Sequence, residues 1–298
     1  MGKRVKTSWW IAGLGALLLA GLVGLLARST VPRLPGMPIT GGIPMGTAAS
    51  GAGSPKGRMA GMTMPLAPVA TRDAHSLVLL PTGEILFGHH DGIQRFDGDK
   101  QGWLNVVQRS GWDAMNLAWD GRRLIVAGHE VYAVSDDLRT YRDRRPSGLG
   151  GMDIHGYAIS PVDPQRHYLW EARSGLYVSQ DGGLNWRAAG GVGLSRWVHV
   201  LAVARDGSVY AGGVGAGLYR SLDGGGHFEP AGAPEADVFA LGVDGGGKLY
   251  VGGRQGLYAQ GPEGWQRLEP ASVIALAASP DEAGYIVWMD DQGQVWQR

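Results

Sequence analysis

From residue 73 onward, apolar segments of about five residues alternate with clusters of Gly, Asp and Ser, a pattern that reads as short strands and tight turns rather than helices. One unit recurs: an apolar strand, a Gly turn, a second strand closing near Gly, then a Gly–apolar–aromatic element. It is seen in GEILFGHHDGIQRF (83–96), RRLIVAGHEVYAV (122–134), RHYLWEARSGLYVS (166–179), GSVYAGGVGAGLYRS (207–221), GKLYVGGRQGLYAQ (247–260) and GYIVWMDDQGQVWQ (284–297). Taking Ile93, Val131, Leu176, Leu218, Leu257 and Val295 as equivalent gives spacings of 38, 45, 42, 39 and 38 residues. A period near forty with four short strands per unit predicts an all-β, six-bladed propeller over residues 66–298. Trp103, Tyr141, Trp186, Phe228 and Trp265 close the first five repeats and should pack between blades. The sixth repeat stops at Arg298 before its outer strand, so the segment 66–72 is expected to supply it and close the ring.

Upstream the pattern changes twice. Residues 9–27 (WWIAGLGALLLAGLVGLLA) carry no charge, and at about 1.5 Å per residue such a helix spans roughly 30 Å of hydrocarbon. Lys3, Arg4 and Lys6 precede the run, which favours a cytoplasmic N-terminus. Residues 1–28 therefore read as an N-terminal membrane anchor. The alternative is a signal sequence, for which Leu25-Leu26-Ala27-Arg28 is a poor cleavage site. Either reading puts the rest of the chain on the extracytoplasmic side. Residues 29–65 are rich in Pro, Gly and Met, bury no core, and read as a flexible tether.

Composition narrows the function. Lys+Arg and Asp+Glu are both 27, so no basic field invites nucleic acid. The absence of Cys removes disulfides, thiolate metal sites and Cys nucleophiles together. Gly245-Gly246-Gly247-Lys248 lacks phosphate-loop spacing and lies between strands. The Arg139, Arg142, Arg144, Arg145 cluster reads as an exposed loop.

Two turns carry a more specific signature, S-x-D-x-G-x-x-aromatic, at residues 179–186 (SQDGGLNW) and 221–228 (SLDGGGHF). In such a turn Ser and Asp can bond backbone amides, while Gly accepts a positive φ. On these residues, together with HHDGI (89–93) and AGH (127–129), the chain resembles the Asp-box (BNR-repeat) β-propellers, which include sialidases and photosystem II assembly-factor-like proteins. It looks closest to a bacterial exported group often labelled glycosyl hydrolases. The resemblance covers about residues 73–298. It implies that the Asp-box turns are structural and lie between the two outer strands, away from the binding face.

The inner-strand starts align as Asp73-Ala74-His75, Asp113-Ala114-Met115, Asp153-Ile154-His155, Trp197-Val198-His199, Asp237-Val238-Phe239 and Ser272-Val273-Ile274. Residues two apart on a strand share a side, so the Asp side chains should ring the channel, with His75, Met115, His155 and His199 in a second ring. Loops after the second strands add His89, His90, Asp91, His129, Glu130, Glu171 and Arg173 at the same mouth. Imidazole suits Zn, Cu, Fe or Ni, so His75, His155, His199, Met115, His90 and His129 are the candidate metal ligands. Met115 and the Met-rich tether tilt the choice from zinc toward copper. Without a metal, the same residues form a polar channel lining.

Two rival functions remain. A scaffold would hold another membrane or exported protein against this face, with Trp112 and Trp197 as contact candidates. A glycoside hydrolase needs two spaced carboxyl groups, or a Tyr nucleophile with an acid, and Asp73, Asp91, Asp113, Glu130, Asp153, Glu171 and Asp237 are available. Sialidases also use an R-I-P motif, which is absent; Arg33-Leu34-Pro35 lies in the tether.

Overall fold

The structure is a computed structural model that describes residues 61–70 and 74–298. The candidate anchor at 9–27, most of the tether, and Asp73 lie outside the described residues. Among the described residues no helix is long and apolar enough to cross a membrane.

Six four-stranded antiparallel sheets form six blades. Blade 1 contains Ala74–Leu79, Ile85–His89, Gly92–Asp97 and Gly102–Gln108, from the inner strand outward. Blade 2 contains Asn116–Trp119, Leu124–Gly128, Val131–Ser135 and Arg142–Asp143, and blade 3 Ile154–Ile159, His167–Glu171, Gly175–Ser179 and Arg187–Ala188. Blade 4 follows with Val198–Val203, Val209–Gly213, Gly217–Ser221 and Glu229–Pro230, and blade 5 with Val238–Val243, Leu249–Gly253, Leu257–Gly261 and Gly264–Glu269. Blade 6 has Val273–Ala278, Ile286–Asp290 and Val295–Gln297 from the C-terminal end, and Met64–Pro65 as its outer strand.

The inner strands of consecutive blades touch all the way round, blade 6 against blade 1 included. The closing strand pairs Met64 with Gln297 and Pro65 with Trp296. It begins two residues before the expected segment, and Leu66 and Val69 extend the seam by donating to the carbonyls of Val295 (2.8 Å) and Gly293 (2.9 Å). A two-residue strand has no periodicity to read, which is why the sequence located it only approximately.

The core is divided among the blade interfaces. Each of six apolar clusters draws on two neighbouring blades: Val78 and Leu86 of blade 1 meet Leu117 and Val126 of blade 2, for example. The same inner strand turns Leu77 and Leu79 toward blade 6. Alternation along a strand thus feeds two interfaces, and a lone blade would leave both apolar faces wet. Tyr141, Trp186 and Phe228 are buried, and Trp103 and Trp265 half-buried, each packed between its own blade and the preceding one.

The two signature turns fold alike. The Ser179 hydroxyl donates to Asp181 Oδ1 (2.8 Å), which accepts the amides of Leu184 (3.2 Å) and Asn185 (2.9 Å). Ser221 and Asp223 repeat this with Gly226 (2.9 Å) and His227 (3.0 Å). Both turns join the third and outer strands of their blade. Blade 2 holds a shorter version: Ser135 donates to Asp137 (3.2 Å), which accepts the amides of Arg139 and Thr140. Leu138 takes the positive φ there (58°) that glycines take in the other two turns, so the motif is hidden from a pattern that requires Gly.

Candidate metal centre at the channel mouth

Five of the six inner strands begin with a defect in their pairing. The register shifts between Ala74 and Ser76, Ile154 and Gly156, Val198 and Val200, Val238 and Ala240, and Val273 and Ala275. The residues stepped over are His75, His155, His199, Phe239 and Ile274. In blade 2 pairing begins at Asn116, directly after Met115. Such bulges break the alternation of a strand and re-aim one side chain. Period-two reasoning therefore predicts the positions but not the directions, and the expected separation into an Asp ring and a His ring does not hold.

Asp and His interleave across blades 1 to 3 instead. Asp113, which precedes the inner strand of blade 2, is 2% exposed. His75 of blade 1 brings Nε2 to 3.1 Å from Asp113 Oδ1. His90, after the second strand of blade 1, brings Nδ1 to 3.5 Å from Oδ2, and His129, after the second strand of blade 2, brings Nδ1 to 2.8 Å from the same oxygen. The other nitrogen of His129 lies 3.1 Å from Asp153 Oδ1 and 3.2 Å from His155 Nε2. His155 Nε2 itself lies 3.0 Å from Asp153 Oδ1. Six side chains thus form one chain of contacts in two groups, each able to hold an ion: His75, His90 and Asp113, then His129, Asp153 and His155.

The backbone explains how Asp113 arrives there. A Cβ on Gly128 would stand 1.9 Å from the Asp113 carbonyl oxygen, so glycine lets the loop press against the second strand. The Ala114 amide donates to the His89 carbonyl (3.1 Å), and the Glu130 amide to the Met152 carbonyl (2.9 Å), tying the mouth loops of successive blades together.

The electrostatics are unusual. The contacts of Asp113 with His75 (3.1 Å) and His129 (2.8 Å) are ion-pair contacts whose N–H groups are not aligned for regular hydrogen bonds, although the carboxylate oxygens and His75 Nε2 are buried. Burial pushes the Asp113 carboxyl up, but His129 and His75 beside it outweigh that and hold it well below the usual carboxylate range. Asp113 raises the His129 imidazole in turn, against the effect of burial.

The remaining expected residues stand apart. His199 lies outside both groups; its Nδ1 is 3.3 Å from the Trp197 carbonyl oxygen, and burial lowers its pKa. Met115 is half-buried two residues after Asp113. His89 accepts the Asp91 amide at Nδ1 (3.2 Å) and stacks on Phe87. Asp113 and Asp153 are central to the contacts, yet sequence reasoning ranked them with the ring carboxylates rather than with the ligands. Their signal was the Asp-x-His/Met spacing itself.

Most other mouth carboxylates serve the backbone. Glu171 is 1% exposed and accepts the Ser174 amide (2.7 Å), the Arg173 amide (3.2 Å) and the Ser174 hydroxyl. Asp91 accepts the Gly111 amide (2.8 Å). Asp237 accepts the Gly215 amide (2.8 Å) and Arg254 Nε (2.5 Å), and that Arg254 contact lowers its pKa.

Comparison with known proteins identifies a fold. No protein-family model matches the chain, and no curated protein matches it. Among solved structures, the chain is similar to the extracellular domain of BT4673 from Bacteroides thetaiotaomicron, described as a one component system, with 17% identity and a TM-score of 0.54. That match covers 76% of this chain and 32% of the other, so the chain spans about a third of that protein's length. It is similar also to a protein of unknown function from Bacteroides thetaiotaomicron (13% identity, TM-score 0.63, covering 79% and 71%). A third likeness is to the GH74 enzyme of Niastella koreensis (17% identity, TM-score 0.51, covering 75% and 36%).

Proposed function

We propose that this protein is an extracytoplasmic binding module, tethered to the membrane through residues 9–27, which coordinates a transition metal at the mouth of its channel. The observation that carries the reading is the Asp113 carboxylate: 2% exposed, without an aligned hydrogen bond, and faced by nitrogens of His75, His90 and His129 at 2.8–3.5 Å. A buried charge without hydrogen bonds is costly unless a cation or a metal offsets it. Metal–ligand bonds of about 2.0–2.1 Å place neighbouring ligands of a tetrahedral centre roughly 3.3 Å apart, close to the 2.8–3.5 Å between those nitrogens and the Asp113 oxygens. Two imidazoles and one carboxylate, His75, His90 and Asp113, with His129 beside the same carboxylate, suit Cu(II) or Zn(II), and the affinity order favours copper. The charge-free run at 9–27 and the extracellular position of the BT4673 domain support the location. The Asp-box likeness supports a scaffold of structural turns with its binding face at the opposite end.

The test is metal content. The full-length chain, stripped with a chelator, exposed to Cu(II) or Zn(II) and desalted, is expected to retain at least one ion per chain. The double variant His75→Ala, His129→Ala should lose it while keeping the wild-type circular dichroism. A folded wild type that retains no metal would overturn the reading and leave the mouth as a polar lining.

A further inference from the structure

The imidazole of His129 faces both groups at once. Its Nδ1 points to Asp113 and so to the ligand group of blade 1, at 2.8 Å; its Nε2 points to Asp153 and His155, at 3.1 and 3.2 Å. One ion cannot use both nitrogens, because the ring's two lone-pair directions diverge. Were His129 a ligand of one ion only, its second nitrogen would be expected to donate to a carboxylate or carbonyl that orients it. Nε2 instead meets a second imidazole nitrogen, His155 Nε2, as well as the carboxylate oxygen. Two imidazole nitrogens and a carboxylate oxygen converging within 3.0–3.2 Å of one another form a ligand set in their own right.

We infer that the mouth holds two metal ions rather than one, joined through the ring of His129: the first on His75, His90, Asp113 and His129 Nδ1, the second on His129 Nε2, Asp153 and His155. This rests on the metal-binding reading above and specifies its stoichiometry. When the second ion binds, the remaining ring proton of His129 leaves to solvent and the imidazolate bridges the pair. The ligand is a pair of divalent transition-metal ions, Cu(II) in both positions in the test.

Titration of the metal-free, full-length chain with Cu(II), followed by desalting, total copper analysis and electron paramagnetic resonance, separates the possibilities. The expected result is two coppers per chain whose spins couple through the shared ring, so that the resonance intensity falls well below that of two independent Cu(II) ions. His155→Ala should halve the copper and restore the intensity of one isolated ion. One copper per chain, unaffected by His155→Ala, would overturn the pair and leave the single-ion reading standing. Two coppers at full, uncoupled intensity would overturn the shared ring. No copper on the folded chain would end both readings. The wild-type stoichiometry and spin count are decisive even if His155→Ala fails to fold.

Discussion

The two halves of the channel mouth use one backbone plan for opposite ends. Gly128 in blade 2 and Gly213 in blade 4 both finish a second strand, and a Cβ on either would stand 1.9 Å from a carbonyl oxygen, that of Asp113 or of Trp197. The side chain held this way is buried in one case and 49% exposed in the other. At the stepped-over positions, blades 1 and 3 offer His75 and His155, whereas blades 5 and 6 offer Phe239 and Ile274. The carboxylates diverge as well. Asp237 is satisfied by an amide and Arg254, while its equivalent Asp113 is met by the imidazoles of His75 and His129. The propeller thus fixes where a side chain stands, and imidazoles gather around Asp in one half where an amide and Arg254 satisfy it in the other.

The largest expected effect tests the shared plan. Gly128→Ala and Gly213→Ala should each destabilise the fold by about 2–4 kcal/mol, read as a lowered midpoint in denaturant. Only Gly128→Ala should also weaken copper retention. Equal loss of copper in both variants would mean that the halves are not distinct.

The paired carboxylates give a sharper contrast. Asp113→Asn should reduce copper retention at least ~10-fold and also destabilise the metal-free protein by about 1–3 kcal/mol, because the contacts to His75 and His129 that favour the ionised carboxylate are lost. Asp237→Asn should leave copper retention as it is and destabilise by no more than about 1 kcal/mol through the half-exposed Arg254 contact. A reversed pattern of copper loss would assign the ligand role to the wrong half.

The smallest effect concerns His167, a buried imidazole that is fully partnered. Its Nε2 donates to the Pro164 carbonyl (2.9 Å) and its Nδ1 accepts from the Tyr157 hydroxyl (2.6 Å). Burial lowers its pKa, so the unfolded chain takes up the proton first. Its contribution to stability is complete above the unfolded value of about 6.5 and is lost as the pH falls below it. His129, whose pKa Asp113 raises, acts with the opposite sign, so the expected outcome is the difference: from about pH 7 to pH 5 the wild type should lose more melting temperature than His167→Gln. His89 and His199, lowered by burial too, leave a residual slope.

Much of this architecture was legible before any coordinates. Spacing of the Gly–apolar–aromatic elements gives six blades because each blade must present the same two apolar faces to its neighbours, so the repeat is enforced by packing. The alignment of His75, Met115, His155 and His199 was readable for the same reason. What could not be read was direction. The bulge that steps over His75, His155 and His199 leaves no mark in the hydrophobic pattern, and it mixes Asp with His where alternation separates them. It also left His199, the aligned member from blade 4, outside the cluster. Asp113 became the centre through a contact between a loop and a glycine, which requires knowing that Gly128 faces a carbonyl. The third Asp-capped turn, at Ser135, escaped because Leu138 adopts the backbone conformation that the motif assigns to glycine.

The seam at Met64–Pro65 gives the ring a direction of weakness. Five blades are covalently continuous from inner to outer strand, whereas blade 6 borrows two residues from the far end of the chain. Tension arriving from the N-terminal side would fall on that short pairing first and open the ring there, as a zip parts at its slider, before any other blade had lost a strand. A propeller hung from a membrane by this segment would have its mechanical fuse at its point of suspension.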